Sequence, residues 1–211
     1  MADTTTASAP AGPIIALGLG LAAAIALMTA NPARAAGPDP AITAKIDAID
    51  ARILRPVLTD PALIAAIQAQ NQTSAALSDA DIKALDTAWR AEVGTAATPT
   101  ISKVQAAPAS ALLRDAKTAS EGLIAEIFAM DDRGLNVAMS DVTSDYWQGD
   151  EAKWQETFLK GADARHLSEV DFDESTQSYT VQVSLPVVDP ATAKPIGAVT
   201  FGIDVEALDA L

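Results

Sequence analysis

The chain has 211 residues, no cysteine, one histidine and a net charge of −14 from 28 acidic and 14 basic residues. Without cysteine there is no disulfide, no thiolate nucleophile and no sulfur-ligated metal, so stability has to come from packing. The negative surface repels nucleic acid and anionic lipid, and no run of Lys or Arg argues otherwise, so nucleic acid is not expected as a partner.

Residues 4–33 carry no charge, and residues 14–30 (IIALGLGLAAAIALMTA) are apolar with many small side chains. The stretch reads as a targeting segment. Pro32 ends a helix there, and Ala33-Arg34-Ala35 supplies a small-x-small cleavage pattern, which predicts a mature start at Ala36. The preceding residues contain Asp3 and no Lys or Arg, and the apolar run is just long enough to cross a bilayer, so an uncleaved N-terminal anchor is the alternative. Either way residues 36–211 are expected to be periplasmic or secreted. Their net charge is the same −14, because Asp3 and Arg34 cancel.

Residues 36–121 read as helical. Asp39 can cap a first helix with Pro40 at its first position, and Ile42, Ile46, Ile49 and Ile53 share one apolar stripe. Asp60-Pro61 repeats that start for a second helix bearing Leu63, Ile64 and Ile67. Ser78 begins a third, where Ile82, Leu85, Trp89 and Val93 form the stripe and Gly94 stops it. Residues 95–107 have no clear period and read as a connector. A short helix over residues 108–119 leads to Gly122.

From Gly122 the period changes from 3.6 to 2. Residues 123–130 and 135–139 flank Asp131-Asp132-Arg133-Gly134, a hairpin turn with glycine where a left-handed residue is wanted. Residues 165–173 predict a strand with Val170 and Phe172 on its inner face. Tyr179, Val181, Val183, Leu185 and Val187 alternate with Thr180, Gln182, Ser184 and Pro186, and Val199, Phe201, Ile203 and Val205 mark the last strand. Residues 140–161 interrupt this sheet with an acidic, aromatic, partly helical segment. There Asp150 can cap a helix carrying Trp154 and Phe158, and Gly161 can close it.

The order strand, strand, insertion, strand, strand, strand after a helical region predicts an α+β domain. The segments EIFAMDDRGLNVAMSDVTSDYW, SLPVVDPATAKPIGAV and FGIDVEAL, from Glu126 to Leu208, resemble the Cache family of periplasmic sensor domains. The resemblance implies a PAS-like five-stranded antiparallel sheet, one face on the N-terminal helices and the other forming a small-molecule pocket roofed by the inserted segment. Ala193 stands where such loops usually turn on glycine. The arginine-tryptophan-tyrosine signature of amino-acid-binding double Cache domains is absent, so amino acids are not inferred as the ligand. No transmembrane helix or signalling domain follows Leu211, so any output is expected from a partner.

The candidate ligand residues are Asp145, Tyr146, Trp147, Lys153 and Trp154, a cluster in a chain only 4% aromatic. Tyr and Trp join a flat apolar face to a hydrogen-bonding tip. An amine would bind the rings by cation–π contact, and a carboxylate would find Lys153. The competing reading makes Trp154 and Phe158 the core face of the short helix and Trp147 a cover for the sheet edge. Asp204 is a position where members of the resembled family sometimes bind ligand, and it can equally cap a C-terminal helix.

The carboxylates Asp141, Asp145, Asp150 and Glu151 match no calcium loop and read as solvated or capping groups. His166 pairs with no serine nucleophile and cannot make a zinc site alone. No cofactor and no catalytic residue is expected. The sequence therefore predicts a small-molecule-binding or sensing module, with an amine or carboxylate ligand and a homodimer or membrane signalling partner as recipient of the signal. The alternative is a structural protein that self-associates through exposed Ile46, Ile49 or Ile53 on its N-terminal helices.

Overall fold

The helix starts follow from local chemistry, as a computed structural model that describes residues 39–173 and 177–211 makes plain. The leader, residues 1–35, lies outside the described residues. Among the described residues no helix is long and apolar enough to cross a membrane. Helix α1 (Pro40–Ile49) begins at Asp39, whose carboxylate accepts the Ala41 N–H at 2.7 Å. Asp60 caps α3 (Pro61–Ser74) in the same way, at 2.8 Å from the Ala62 nitrogen. Ser78 and Asp81 close a reciprocal capping box on α4 (Asp79–Glu92). Each arrangement satisfies N–H groups that the first helical turn leaves without partners.

Two helical expectations needed correction. A π-helical turn, Asp50–Leu54, joins α1 to α2 (Arg55–Leu58). The extra residue in that turn rotates the apolar stripe, so Leu54, fully buried, takes the core position expected of Ile53. The supposed connector holds α5 (Pro99–Gln105). Its N-terminus has no cap of its own: the carboxylate of Glu92, at the end of α4, accepts from Thr100 and Ile101 at 2.9 and 3.0 Å. A cap supplied by another helix leaves no local sequence signal. Helix α6 (Pro108–Ala119) falls where expected.

The strands are β1 (Ile124–Met130), β2 (Asn136–Met139), β3 (His166–Leu167), β4 (Asp171–Asp173), β5 (Ser178–Val188) and β6 (Pro195–Asp204). All pairings are antiparallel in the order β2-β1-β6-β5-β3, with β4 also on β5. The α+β class with an antiparallel sheet of five positions is therefore as the sequence implied. Gly134 turns the first hairpin at φ +79°, where a Cβ would lie 2.5 Å from the Gly149 backbone. Ala193 turns the last one at φ +56°.

The outer strand is not continuous. After β3 the Ser168 hydroxyl accepts the Gln182 N–H at 2.8 Å and itself bonds the Glu169 carbonyl. The side chain takes a ladder position and the backbone leaves the edge. Val170 and Phe172, expected inside, are 39% and 43% exposed. Phe172 instead meets Tyr179 edge-on, with ring centroids 5.3 Å apart.

The two sheet faces differ. Ile127, Val183, Leu185, Val199, Phe201 and Ile203 form one core with Ile46, Ile49, Leu63, Ile67 and Leu113. Ile46 and Ile49 are 0% and 2% exposed, so the N-terminal stripe is spent on the chain's own sheet and is not the open self-association surface the alternative reading required. Helices α4 and α5 do not join that layer. Ile82, Trp89, Ile101 and Val104 pack with Phe128, Met130, Leu135 and Met139 on the opposite face, filling its hairpin half. The other half of that face carries Glu126, Thr180, Gln182, Ser184 and Thr200, opposed in register across β1, β6 and β5.

Candidate ligand-binding cleft

Strand alternation fixes the floor of the cleft. In β1 the residues between Ile127 and its inward neighbours are Glu126 and Phe128, and in β5 the residue between Val181 and Val183 is Gln182, so all three face the same side. Gly202 lies opposite Glu126 in β6, and a Cβ there would meet the Glu126 Cγ at 2.7 Å. The absent side chain makes the space in which Glu126 lies.

The roof is residues 142–148, held down by α4. The Asp86 carboxylate accepts the backbone N–H groups of Tyr146 and Trp147 at 2.9 and 3.1 Å, and the Trp89 indole donates to the Thr143 carbonyl at 2.9 Å. Asn136 donates from its side chain to Thr143 Oγ1 and the Asp145 carbonyl. Between floor and roof is a cleft of about 310 Å³, lined by Glu126, Phe128, Val142, Asp145, Gln148 and Lys153 among others. It shares Lys153, Asp173 and Gln182 with an outer groove of about 680 Å³ toward β4.

The cleft is rich in acceptors. Burial pushes the Glu126 carboxyl above its usual range, and the charge of Asp173 adds to the shift while Lys153 opposes it. Its bond from Gln182 Nε2 is long, 3.4 Å. Asp145 is paired with Arg90 at 3.0 Å and accepts from Gln148. Lys153 bridges to Glu151 at 2.9 Å and lies 5.3 Å above the Phe128 ring.

The residues singled out from the sequence are not all brought together. Asp145 and Lys153 face the cleft. Tyr146 points the other way, stacked on Trp89 with centroids 5.2 Å apart, its hydroxyl accepting from Gln70. Trp147 donates to the Arg133 carbonyl and Trp154 to the Asp131 carbonyl, both packed against the second core. Trp154 also stacks on Phe158. Asp204 caps α8 (Val205–Asp209), accepting from Ala207 at 2.8 Å. Asp150 does not cap the inserted helix α7 (Ala152–Gln155): Glu151 holds that position, with no side-chain bond to the helix.

Asp141, which the sequence grouped with these acids, is paired with Lys117 at 2.7 Å. His166 is half-buried on β3, outside both cavities, and burial lowers its affinity for a proton. Glu126, Phe128, Gln148 and Gln182 were not singled out from the sequence. For Glu126, Phe128 and Gln182 the signal was present in the alternation of β1 and β5, which sets them on the face opposite the helical core; Gln148, in the inserted segment, left none.

No protein-family profile matches the chain, and no curated protein matches it. Solved structures do. The sensor domain of the V. cholerae histidine kinase DctB is 14% identical with a TM-score of 0.43, over 80% of this chain and 56% of that one. The ligand-binding domain of the Campylobacter jejuni chemoreceptor Tlp3, in complex with 4-methylisoleucine, is 13% identical with a TM-score of 0.39, over 82% and 63%. The E. coli DcuS sensor domain is 15% identical with a TM-score of 0.36, over 72% and 97%. The chain thus spans 56% and 63% of the lengths of the first two. By name these are sensor or ligand-binding domains.

Proposed function

We propose that the chain is an exported small-molecule-sensing module of Cache type, not an enzyme, whose ligand occupies the cleft between Glu126–Gln182 on the sheet and residues 142–148 above them. One observation carries the reading. A sheet face that could have been packed like its hairpin half instead presents half-buried polar groups to a cavity of about 310 Å³. Polar groups withdrawn from water need partners, and a concave site with a few convergent polar groups and one aromatic wall suits a small ligand. The cleft joins roof and sheet, so occupancy would alter how the inserted segment is held. Transmission would then pass to a homodimer or a membrane signalling partner.

A thermal-shift screen of the full-length chain against amines, carboxylates, amino acids and divalent cations tests the reading. A ligand at a hundred times its dissociation constant stabilises by about 2.7 kcal/mol, a shift of several degrees. Val142→Trp, which fills the cleft from an exposed position, is expected to remove the shift. If no compound shifts the transition, or if the shift survives in V142W, the cleft is not a ligand site.

A further inference from the structure

A second cavity lies behind the roof of the cleft, at the free edge of β2, and its lining differs in charge from that of the cleft. It measures about 210 Å³ and is bounded by α3, α4, α5, β2 and the ring of Tyr146. Tyr146 follows Asp145 in the roof, and the two side chains face opposite ways: Asp145 into the cleft, Tyr146 into this cavity. The volume is below the roughly 300 Å³ at which ordinary ligand pockets begin, so an occupant has to be short.

The polar groups that line it are donors in excess. The Gln70 Nε2 donates to the Tyr146 hydroxyl at 3.1 Å. Burial pushes the Tyr146 phenol above its ordinary range, so it keeps its proton. The pair therefore holds three donor hydrogens and spends one on itself; turning the Gln70 amide round changes which one is spent and still leaves two. Lys103, exposed at the mouth, has no ion-pair partner among the described residues. No carboxylate lines the cavity, in a chain with 28 acidic residues. Glu92 is spent on the backbone and hydroxyl of Thr100, and Asp131, whose charge reaches Tyr146, is fully buried under the hairpin turn. The Asn136 amide donates to Thr143 and Asp145 on the roof side, and its oxygen is closed off. Leu85, Val104 and Val137 supply an apolar wall.

We propose that this cavity binds a short-chain carboxylate, its oxygens taken by Lys103 and the Gln70–Tyr146 pair and its carbon chain lying against Leu85, Val104 and Val137. A carboxylate only accepts hydrogen bonds, so it matches a lining with donors to spare, and charge-assisted bonds are the stronger kind. A short apolar tail covers the wall that water leaves poorly satisfied. The site is separate from the cleft and stands on other residues. Tyr146 stacks on Trp89, whose indole holds Thr143, so an occupant braces the roof from the side away from the cleft.

The test is calorimetric titration of the full-length chain, at low ionic strength, with three probes of similar size: butyrate, butyramide and butylamine. Butyrate is expected to bind at least about tenfold more tightly than the other two, the scale of one charge-assisted bond. Lys103→Met, at an exposed position that leaves the fold alone, is expected to weaken butyrate by about tenfold, and Tyr146→Phe by about threefold. Ala107→Leu fills the cavity and is expected to abolish binding, with thermal unfolding to check that the variant folds. Val142→Trp fills the cleft instead and is expected to leave butyrate binding in place. Unchanged affinity in both K103M and Y146F overturns the proposal even if A107L does not fold. Binding that survives in K103M but disappears in V142W moves the acid into the cleft, which overturns this site and supports the cleft reading. Butyramide or butylamine binding as well as butyrate overturns the assignment of an anion. Absence of butyrate binding overturns the proposal outright, whatever the screen finds for the cleft.

Discussion

Replacing Asp86 by alanine is expected to release the segment that roofs the cleft. One oxygen of Asp86 accepts the N–H groups of Tyr146 and Trp147 at 2.9 and 3.1 Å, and the other pairs with Arg90 at 2.7 Å. Asp86 is 14% exposed and Arg90 54%, so the ion pair is screened and adds at most about 1 kcal/mol. Hydrogen bonds to a charged acceptor are worth about 1.5–3 kcal/mol each, less for two sharing one oxygen, so D86A should lose about 3 kcal/mol. For a domain of this size that lowers the melting temperature by about 10 °C. Asp86→Asn keeps a carbonyl oxygen for the same two N–H groups, and is expected to lose only about 1 kcal/mol. Urea unfolding of the three proteins gives the free energies, and the thermal shift produced by any ligand found in the screen reads the roof. A loss below about 1 kcal/mol in D86A, or equal losses in D86A and D86N, would show that the clamp is not what holds the segment.

Gly202→Ala is expected to displace Glu126, whose Cγ and Oε1 lie 2.7 and 3.3 Å from the new Cβ. The obstacle is the Glu126 Cγ, close to the backbone, so the side chain must change rotamer, and stability should fall by about 1 kcal/mol while ligand affinity falls; calorimetry showing wild-type affinity would refute this. The raised affinity of Glu126 for its proton predicts a pH effect of definite sign. The unfolded chain releases this proton near pH of about 4.3 and the folded chain later, so the folded state binds more protons in between and loses stability as pH rises through that window. E126Q should therefore gain stability over the unliganded wild type above that window, and show no such gain below it; denaturant titrations at several pH values check the sign. At Ala193, φ +56° strains a residue with a Cβ. Ala193→Gly should gain about 0.5 kcal/mol, the strain relieved less the extra freedom of the unfolded chain, and an unchanged or lower urea midpoint would contradict it.

Much of the architecture was legible in the sequence because its causes are local. Asp39, Asp60 and Ser78 cap helices where they stand, Gly134 turns its hairpin, and the alternation from Val181 to Val187 places a buried strand. Errors arose where a distant group intervened. Glu92 caps α5 across a loop, and Ser168 ends β3 by taking the N–H of Gln182. Neither act leaves a pattern in the segment it affects.

The candidate site divides in the same way. Composition and spacing picked out Asp145 and Lys153, and with them Tyr146, Trp147 and Trp154, since aromatic residues in a chain so poor in them draw attention. Which way each ring points was decided by packing: Tyr146 lies on Trp89, and the two indoles spend their N–H groups on the carbonyls of Arg133 and Asp131. The sequence by itself determined most of the helices, the alternation of the long strands and the acidic surface, where the causes are neighbours a few residues apart. Only the tertiary structure decided that Glu126, Gln148 and Gln182 share one cleft, because that meeting depends on the register of β1 and β5 around β6 and on the hold of α4 over the inserted segment.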